Sequence, residues 1–194
     1  MRTDRRLAKI ERVLRQRQPD LTVVMENIHD PHNVSAMLRS CDAAGVMEAQ
    51  LVYTDEEFPD IGKKSSASAK KWIERNKFVS IQACYTKLRK RNFSIYATRI
   101  GTGSKSVYDL DLTKSVAFVF GNEHRGVSDE AARQADGLVC VPMFGMIESL
   151  NVSVACAVIL FEAVRQRIAR EGRLKHQVKE SELKKMIKSW AAKK

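Results

Sequence analysis

Short apolar runs of strand type alternate with helical segments along this chain, and that alternation limits its fold more than any other feature. Residues 21–25, 50–53, 93–98, 116–120 and 138–141 are rich in β-branched and aromatic side chains. A further strand is expected within 72–80. Between these runs, 34–44, 81–90, 128–135 and 151–170 carry apolar residues at helical spacing, and Gly45 and Gly172 stand where two of those helices should stop. The segments 26–33, 63–71, 99–106 and 143–150 read as loops. Such an order predicts an α/β domain on a mainly parallel sheet. A helix over 3–17, capped by Thr3, should present Leu7, Ile10, Val13 and Leu14 as one stripe. A second terminal helix over 181–194 offers Leu183, Met186, Ile187 and Trp190. The expected organisation is an N-terminal basic helix (1–18), one α/β domain (19–170) and a C-terminal basic helix or tail (171–194).

Charge narrows the partner. With 34 Lys+Arg against 23 Asp+Glu, the net charge of +11 points to an acidic ligand, most simply nucleic acid. Arg6 and Lys9 on the first helix and the Lys-rich tail are candidate phosphate contacts. No apolar run is long enough to cross a bilayer and no secretory core follows the basic start, so a cytoplasmic protein is expected. Cys41, Cys84, Cys140 and Cys156 are scattered, without Cys-x-x-Cys spacing, as reduced and buried thiols would be. His29 and His32 lack a third nearby ligand, so no metal site is expected. A Gly-x-Gly-x-x-Gly turn after the first strand, a Walker A loop, a Gly-x-Ser-x-Gly elbow and a His-Glu-x-x-His helix are all missing, which removes the common nucleotide, kinase and hydrolase readings.

Parallel sheets place ligands beyond the carboxyl ends of their strands, and three loops there are unusual. The first leads through Asn27 to Asn33 at an expected helix start, with Arg39 about two turns on. Alone, Asn33 reads as a plain N-cap and Arg39 as a surface ion-pair residue. The second runs from the strand ending in Phe120 through Gly121, Glu123, Arg125 and Gly126 to Ser128. There Gly121 should let a ligand approach the backbone, and Glu123 should bind a cation or orient a neighbour. The third, from Val141 to Asn151, is apolar for a turn. Met143, Phe144, Met146 and Ile147 would be wasted there unless they lined a pocket or an interface. Ser149 and Asn151 sit at a helix N-terminus and read as caps or as polar site groups.

All three loops in this order resemble the motifs of the SpoU/TrmH branch of the SPOUT RNA 2′-O-ribose methyltransferases, over most of residues 18–168. The entry Arg17–Thr22 and the exit Arg165-Gln166-Arg167 are similar to the TrmH-type enzymes that methylate a D-loop guanosine ribose of tRNA, conventional position 18. The resemblance implies a C-terminal trefoil knot in the sheet, although knots are very rare among folds at large. It implies S-adenosylmethionine, without a metal, held by Thr98, Gly121, Val141 and Leu150, with Met143 and Ser149 close by. It implies a homodimer whose active site draws on both chains. It assigns catalysis to Arg39, with Asn33 orienting it or the ribose and Glu123, Ser149 and Asn151 completing the pocket. It gives Arg17, Arg165 and Arg167 to tRNA contact or support of the site. Arginine deprotonates only with great reluctance, so Arg39 is expected to clamp a phosphate and stabilise the developing alkoxide rather than to act as general base. Three features depart from the family pattern: the acidic stretch 55–60, Glu148 where relatives often carry Gln, and a short C-terminal extension with its own Lys-rich pattern. The rival readings are a ribosomal RNA 2′-O-methyltransferase of the same branch and a non-catalytic RNA-binding protein on the same fold.

Overall fold

The computed structural model describes residues 4–54, 57–59, 71–172, 174 and 178–193. The Thr3 cap, the loop expected at 63–70 and much of the acidic stretch 55–60 lie outside the described residues. Seven parallel strands form one sheet: β1 (Leu21–Glu26), β2 (Glu48–Val52), β3 (Glu74–Phe78), β4 (Ser94–Thr98), β5 (Ser104–Ser106), β6 (Val116–Phe120) and β7 (Gly137–Cys140). Their order is β3-β2-β1-β6-β4-β7-β5. The helices are α1 (Asp4–Arg15), α2 (Pro31–Ala43), α3 (Ile81–Arg89), α4 (Asp129–Gln134), α5 (Val152–Glu171) and α6 (Glu180–Ala192). The mainly parallel sheet expected from the sequence is parallel at every pairing.

The central strands are apolar on both faces because both faces are covered. Val23, Met25, Phe118 and Phe120 point into a core shared with α2 and α5. Their neighbours Val24, Ala117 and Val119 point the other way, against Ile81, Tyr85 and Leu88 of α3. Each large side chain so buried contributes about 1.5–3 kcal/mol. A third, smaller core joins the two ends of the chain: Ile10 and Leu14 of α1 meet Leu183, Trp190 and Ala191 of α6. Trp72 packs on Trp190 with ring centroids 4.8 Å apart.

Two local expectations change. α2 begins at Pro31, with Asp30 as the cap accepting from the His32 amide, so Asn33 lies inside the first turn rather than at the helix start. The segment 99–106, expected as loop from its Gly, Ser and Thr content, contains β5 and is followed by a single 3-10 turn, Val107–Asp109. β5 is three residues long and owes its strand state to pairing with β7, a tertiary contact that local composition does not report.

At the amino ends of the strands, two arginines depart from the RNA-contact role given them. The Arg17 side chain is 1% exposed; it donates to the Val46 carbonyl at 2.7 Å and pairs with Asp42, and its guanidinium carbon lies 5.1 Å from the Trp190 ring. Arg167 donates to Gln18 Oε1, to Asp20 Oδ1 and to the carbonyls of Leu112 and Lys114, at 2.6–3.0 Å. Apart from Arg17 Nε, which is buried without a hydrogen-bond partner among the described residues, their donors tie α2, α5 and the segment after α1 to the sheet, and Arg17 packs on Trp190 of α6. Neither has a fork left for a phosphate.

Candidate active site

Loops at the carboxyl ends of β4, β6 and β7 enclose a cavity of about 480 Å³, and the loop after β1 meets them at its edge through Asn33. Thr98, Gly121, Val141, Met143, Ser149 and Leu150, expected at a cofactor site, all line it, and so do Glu123 and Asn151. Thr98 spends its hydroxyl on the Val119 carbonyl, 2.8 Å away, which fixes the end of β4 against β6.

A chain of side-chain hydrogen bonds joins the three loops. Asn33 donates to Glu123 Oε1 at 2.8 Å, and Asn151 donates to Asn33 Oδ1 at 3.1 Å. Asn151 also caps α5, accepting from the Ser153 amide and hydroxyl. Ser149 does not cap that helix; it is exposed at the cavity wall. Glu123 accepts from the amides of His29 and Asp30 at 2.9 and 3.1 Å, so its carboxylate closes the amino end of α2 from outside. Burial acts to raise the Glu123 pKa, but the Asn33 amide and the His29 and Asp30 backbone donors outweigh it and hold the carboxyl below its ordinary range. Of the two roles expected for Glu123, the geometry supports orienting a neighbour; among the described residues no cluster of metal-ligating side chains forms.

Gly121 is required for a different reason from the one expected. A β-carbon there would overlap the Gly126 carbonyl group and the Val127 amide, so the glycine lets the 121–127 loop fold tightly on itself. Gly126, at φ +70°, completes that turn.

Asn27, Asn122 and Glu26 support the site and carried no role in the sequence reading beyond Asn27 opening the first motif. Asn122 is buried, donates to the Asn27 carbonyl at 2.9 Å and accepts from the His124 and Arg125 amides. Asn27, at φ +48°, bonds Thr54 with both ends of its amide. Buried Glu26 holds Ser128, the cap of α4, through its amide and hydroxyl. The available signal was a polar residue directly after a fully apolar strand, which has to be satisfied when buried.

Arg39 stands apart from this network. It is exposed on α2, outside the cavity lining, and makes no hydrogen bond or ion pair among the described residues. Arg6 and Lys9 are exposed on α1. Arg165 is exposed and pairs with Glu162 at 2.8 Å. Cys41, Cys84 and Cys156 are buried free thiols, whereas Cys140 is partly exposed at the cavity. Phe144, Met146 and Ile147 are 96%, 99% and 70% exposed, so they line no core. Among the described residues no helix is long and apolar enough to cross a membrane.

The fold and site together define a parallel α/β protein with a cavity at the carboxyl ends of its strands, edged by interlocked loops. The chain belongs to the SpoU rRNA methylase family, whose profile matches residues 20–161. It is 48% identical over 167 residues to the tRNA (guanosine(18)-2′-O)-methyltransferase of Thermus thermophilus, covering 86% of each chain. The crystal structure of the TrmH/SpoU tRNA modifying enzyme of Aquifex aeolicus superposes with a TM-score of 0.89 at 36% identity, over 97% of this chain and 95% of that one. The SpoU methyltransferase AviRb of Streptomyces viridochromogenes, in complex with AdoMet, gives a TM-score of 0.71 at 27% identity, over 79% of this chain and 60% of that one.

Proposed function

We propose that this protein transfers the methyl group of S-adenosylmethionine to the ribose 2′-hydroxyl of a D-loop guanosine, position 18, in tRNA. The observation that carries the reading is the Asn151–Asn33–Glu123 hydrogen-bond chain, which locks three loops around one cavity. The cavity suits the cofactor chemically. Val139, Val141, Leu150 and Ile159 give apolar walls for an adenine ring, and polar groups at Glu123, Asn151 and Arg125 ring one side. Held by Thr98, Gly121, Val141 and Leu150, with Met143 and Ser149 close by, S-adenosylmethionine would supply an electrophilic methyl group, with S-adenosylhomocysteine as the leaving group and water taking the hydroxyl proton.

The residues of the chain have three tasks. Asn33, held from both sides, sets the position of α2 relative to the cavity mouth. Glu123 stays ionised and keeps the first turn of α2 in place. Arg39, exposed and without a partner among the described residues, offers its fork of donors to the phosphate beside the target ribose and steadies the developing alkoxide. Alignment of this kind supplies about 7–11 kcal/mol of barrier lowering.

The same reading carries a trefoil knot, a homodimer and the division of the chain. β7 lies between β4 and β5, which are joined only by residues 99–103, and this supports passage of the later chain through an earlier loop. Exposed Phe144, Met146 and Ile147, with Val154, Phe161 and Ile168 on α5, are what a self-associating face would carry. Residues 19–170 hold the chemistry, and 1–18 with 171–194 track the RNA backbone. The site needs no metal, and a cytoplasmic location goes with a tRNA substrate.

The test is transfer of labelled methyl to unmodified tRNA transcripts, mapped by nuclease digestion and mass spectrometry, with Arg39→Ala alongside. Label at the D-loop guanosine, lost in the variant, upholds the reading. Label on ribosomal RNA alone replaces the substrate, and no transfer to any RNA overturns the activity.

A further inference from the structure

On the opposite side of the sheet from β5, between edge strand β3 and helix α6, lies a second, larger groove of about 930 Å³. It shares no lining residue with the methyl-transfer cavity. Its floor is apolar, with Met47, Leu51, Ile73 and Met186, and its walls are aromatic and cationic. Both tryptophans of the chain, Trp72 and Trp190, line it. Lys193 sits over both rings, its ammonium 5.7 and 5.3 Å from their centroids. Lys71, Arg75 and Lys77 stand along the β3 side, and Glu74 is the one acid among the described lining residues. Arg75 is exposed and makes no ion pair among the described residues. The groove opens beside the basic faces of α1 and α6, where Arg6 donates to the Lys193 carbonyl. Lys184, Lys185 and Lys188 are exposed on α6.

We propose that this groove holds an unpaired nucleotide of the RNA, its base against Trp72 and its phosphate among Arg75, Lys77 and Lys193. The proposal rests on the RNA reading above and adds a subsite to it. Three features favour this occupant over a protein segment. Among the described lining residues the cations outnumber the acid, and there Lys77 is held only over the ring of Phe58. The aromatic wall offers ring surface on which a base can stack, above the aliphatic floor. The groove also continues a basic surface of the kind that follows a polyanion. Burial of its ammonium and the Arg17 charge pull the Lys193 pKa below that of a free lysine, although Glu74 opposes them. A phosphate arriving there would relieve that cost. A duplex would not enter, because its bases are stacked inside and unavailable to the rings.

Because both tryptophans line the groove, intrinsic emission reports on this one place. The full-length protein is titrated with a single-stranded RNA of about ten nucleotides and with a duplex of equal length, and binding is followed in parallel by anisotropy of labelled RNA. The single strand should quench the emission in a salt-dependent way, and the duplex should bind without quenching. Arg75→Glu with Lys77→Glu should weaken the quenching titration at least about five-fold. Trp190→Phe, which preserves the packing, should leave quenching from Trp72. Asn151→Ala should leave the quench unchanged while methyl transfer falls. Binding of the single strand with unchanged emission, or an equal quench in the double charge reversal, overturns the groove even if methylation proceeds. Quenching intact while no RNA is ever methylated overturns the function proposed above and leaves the groove standing.

Discussion

The two ends of the central strands carry similar polar side chains put to opposite uses. At the amino ends, Arg17 and Arg167 are buried and turn their donors on carbonyls and acids of the fold. At the carboxyl ends, Asn33, Glu123 and Asn151 bond one another along one edge of a cavity, and Arg39 is left exposed with no protein partner among the described residues. A saturated arginine such as Arg167 holds structure, whereas an exposed one without a partner among the described residues is open to a ligand. The position along the strand, rather than the residue type, separates the two.

Breaking the saturated end should cost most in stability. Arg167→Ala leaves Asp20, Gln18 and two carbonyls without their donor and should lower stability by about 3–5 kcal/mol. In a chain of this size that is on the order of 10 °C in Tm, read by calorimetry. A smaller shift would mean that water replaces the arginine and that the clamp is less closed than its burial implies.

Breaking the open end should do the reverse. Arg39→Ala should cut methyl transfer by about 10²–10³-fold while Tm stays within about a degree, since an exposed, unpaired side chain holds nothing. Arg39→Lys should recover little, because a point charge cannot grip a phosphate with two donors. An Arg39→Ala protein that lost stability instead would erase the contrast.

The link between the ends is sharpened by pH. Glu123 has a folded pKa below its ordinary value, so its ionised form is favoured by folding. That contribution is fully present above the ordinary carboxylate range, near about 4.3, and is lost as pH falls through the lower folded value. Cofactor binding should therefore hold down to about that range and then fail, and in Glu123→Gln the acid limb should flatten. Isothermal titration from about pH 3 to about pH 6 reads it. The smallest effect belongs to Arg165→Ala, whose exposed pair with Glu162 should be worth no more than about 1 kcal/mol. Its RNA affinity should drop modestly with a shallower salt slope.

Much of this was legible from residue order. The strands at 116–120 and 138–141 and the helix at 151–170 stand within a residue or two of where their apolar spacing put them, because each buries the face its pattern marks. The cavity lining was legible from motif resemblance, since those residues share the carboxyl ends of their strands. What local pattern could not carry were side-chain destinations. Arg17 and Arg167 look like surface cations in sequence, and only tertiary contact reveals the carbonyls and acids of distant segments waiting for them. Gly121 lines the cavity as its sequence position suggests, but the clash that excludes a β-carbon there is with its own loop, which no local pattern announces. Asn33 was displaced from the helix start by an Asp30-Pro31 pair, which makes the stronger opening signal.

The placement of β7 also dictates an order of assembly. It is the last strand made, yet it lies between β4 and β5 rather than at an edge of the sheet. It cannot be added to a finished sheet from outside. β5 has no other strand neighbour, so it stays unpaired until β7 arrives, and the carboxyl ends of β4 and β5 cannot reach their final spacing before then. The last third of the chain must therefore be present before the ligand cavity exists. On the ribosome the cavity cannot form before β7 and the start of α5 have emerged, and in refolding its recovery should trail the burial of β1, β2 and β6.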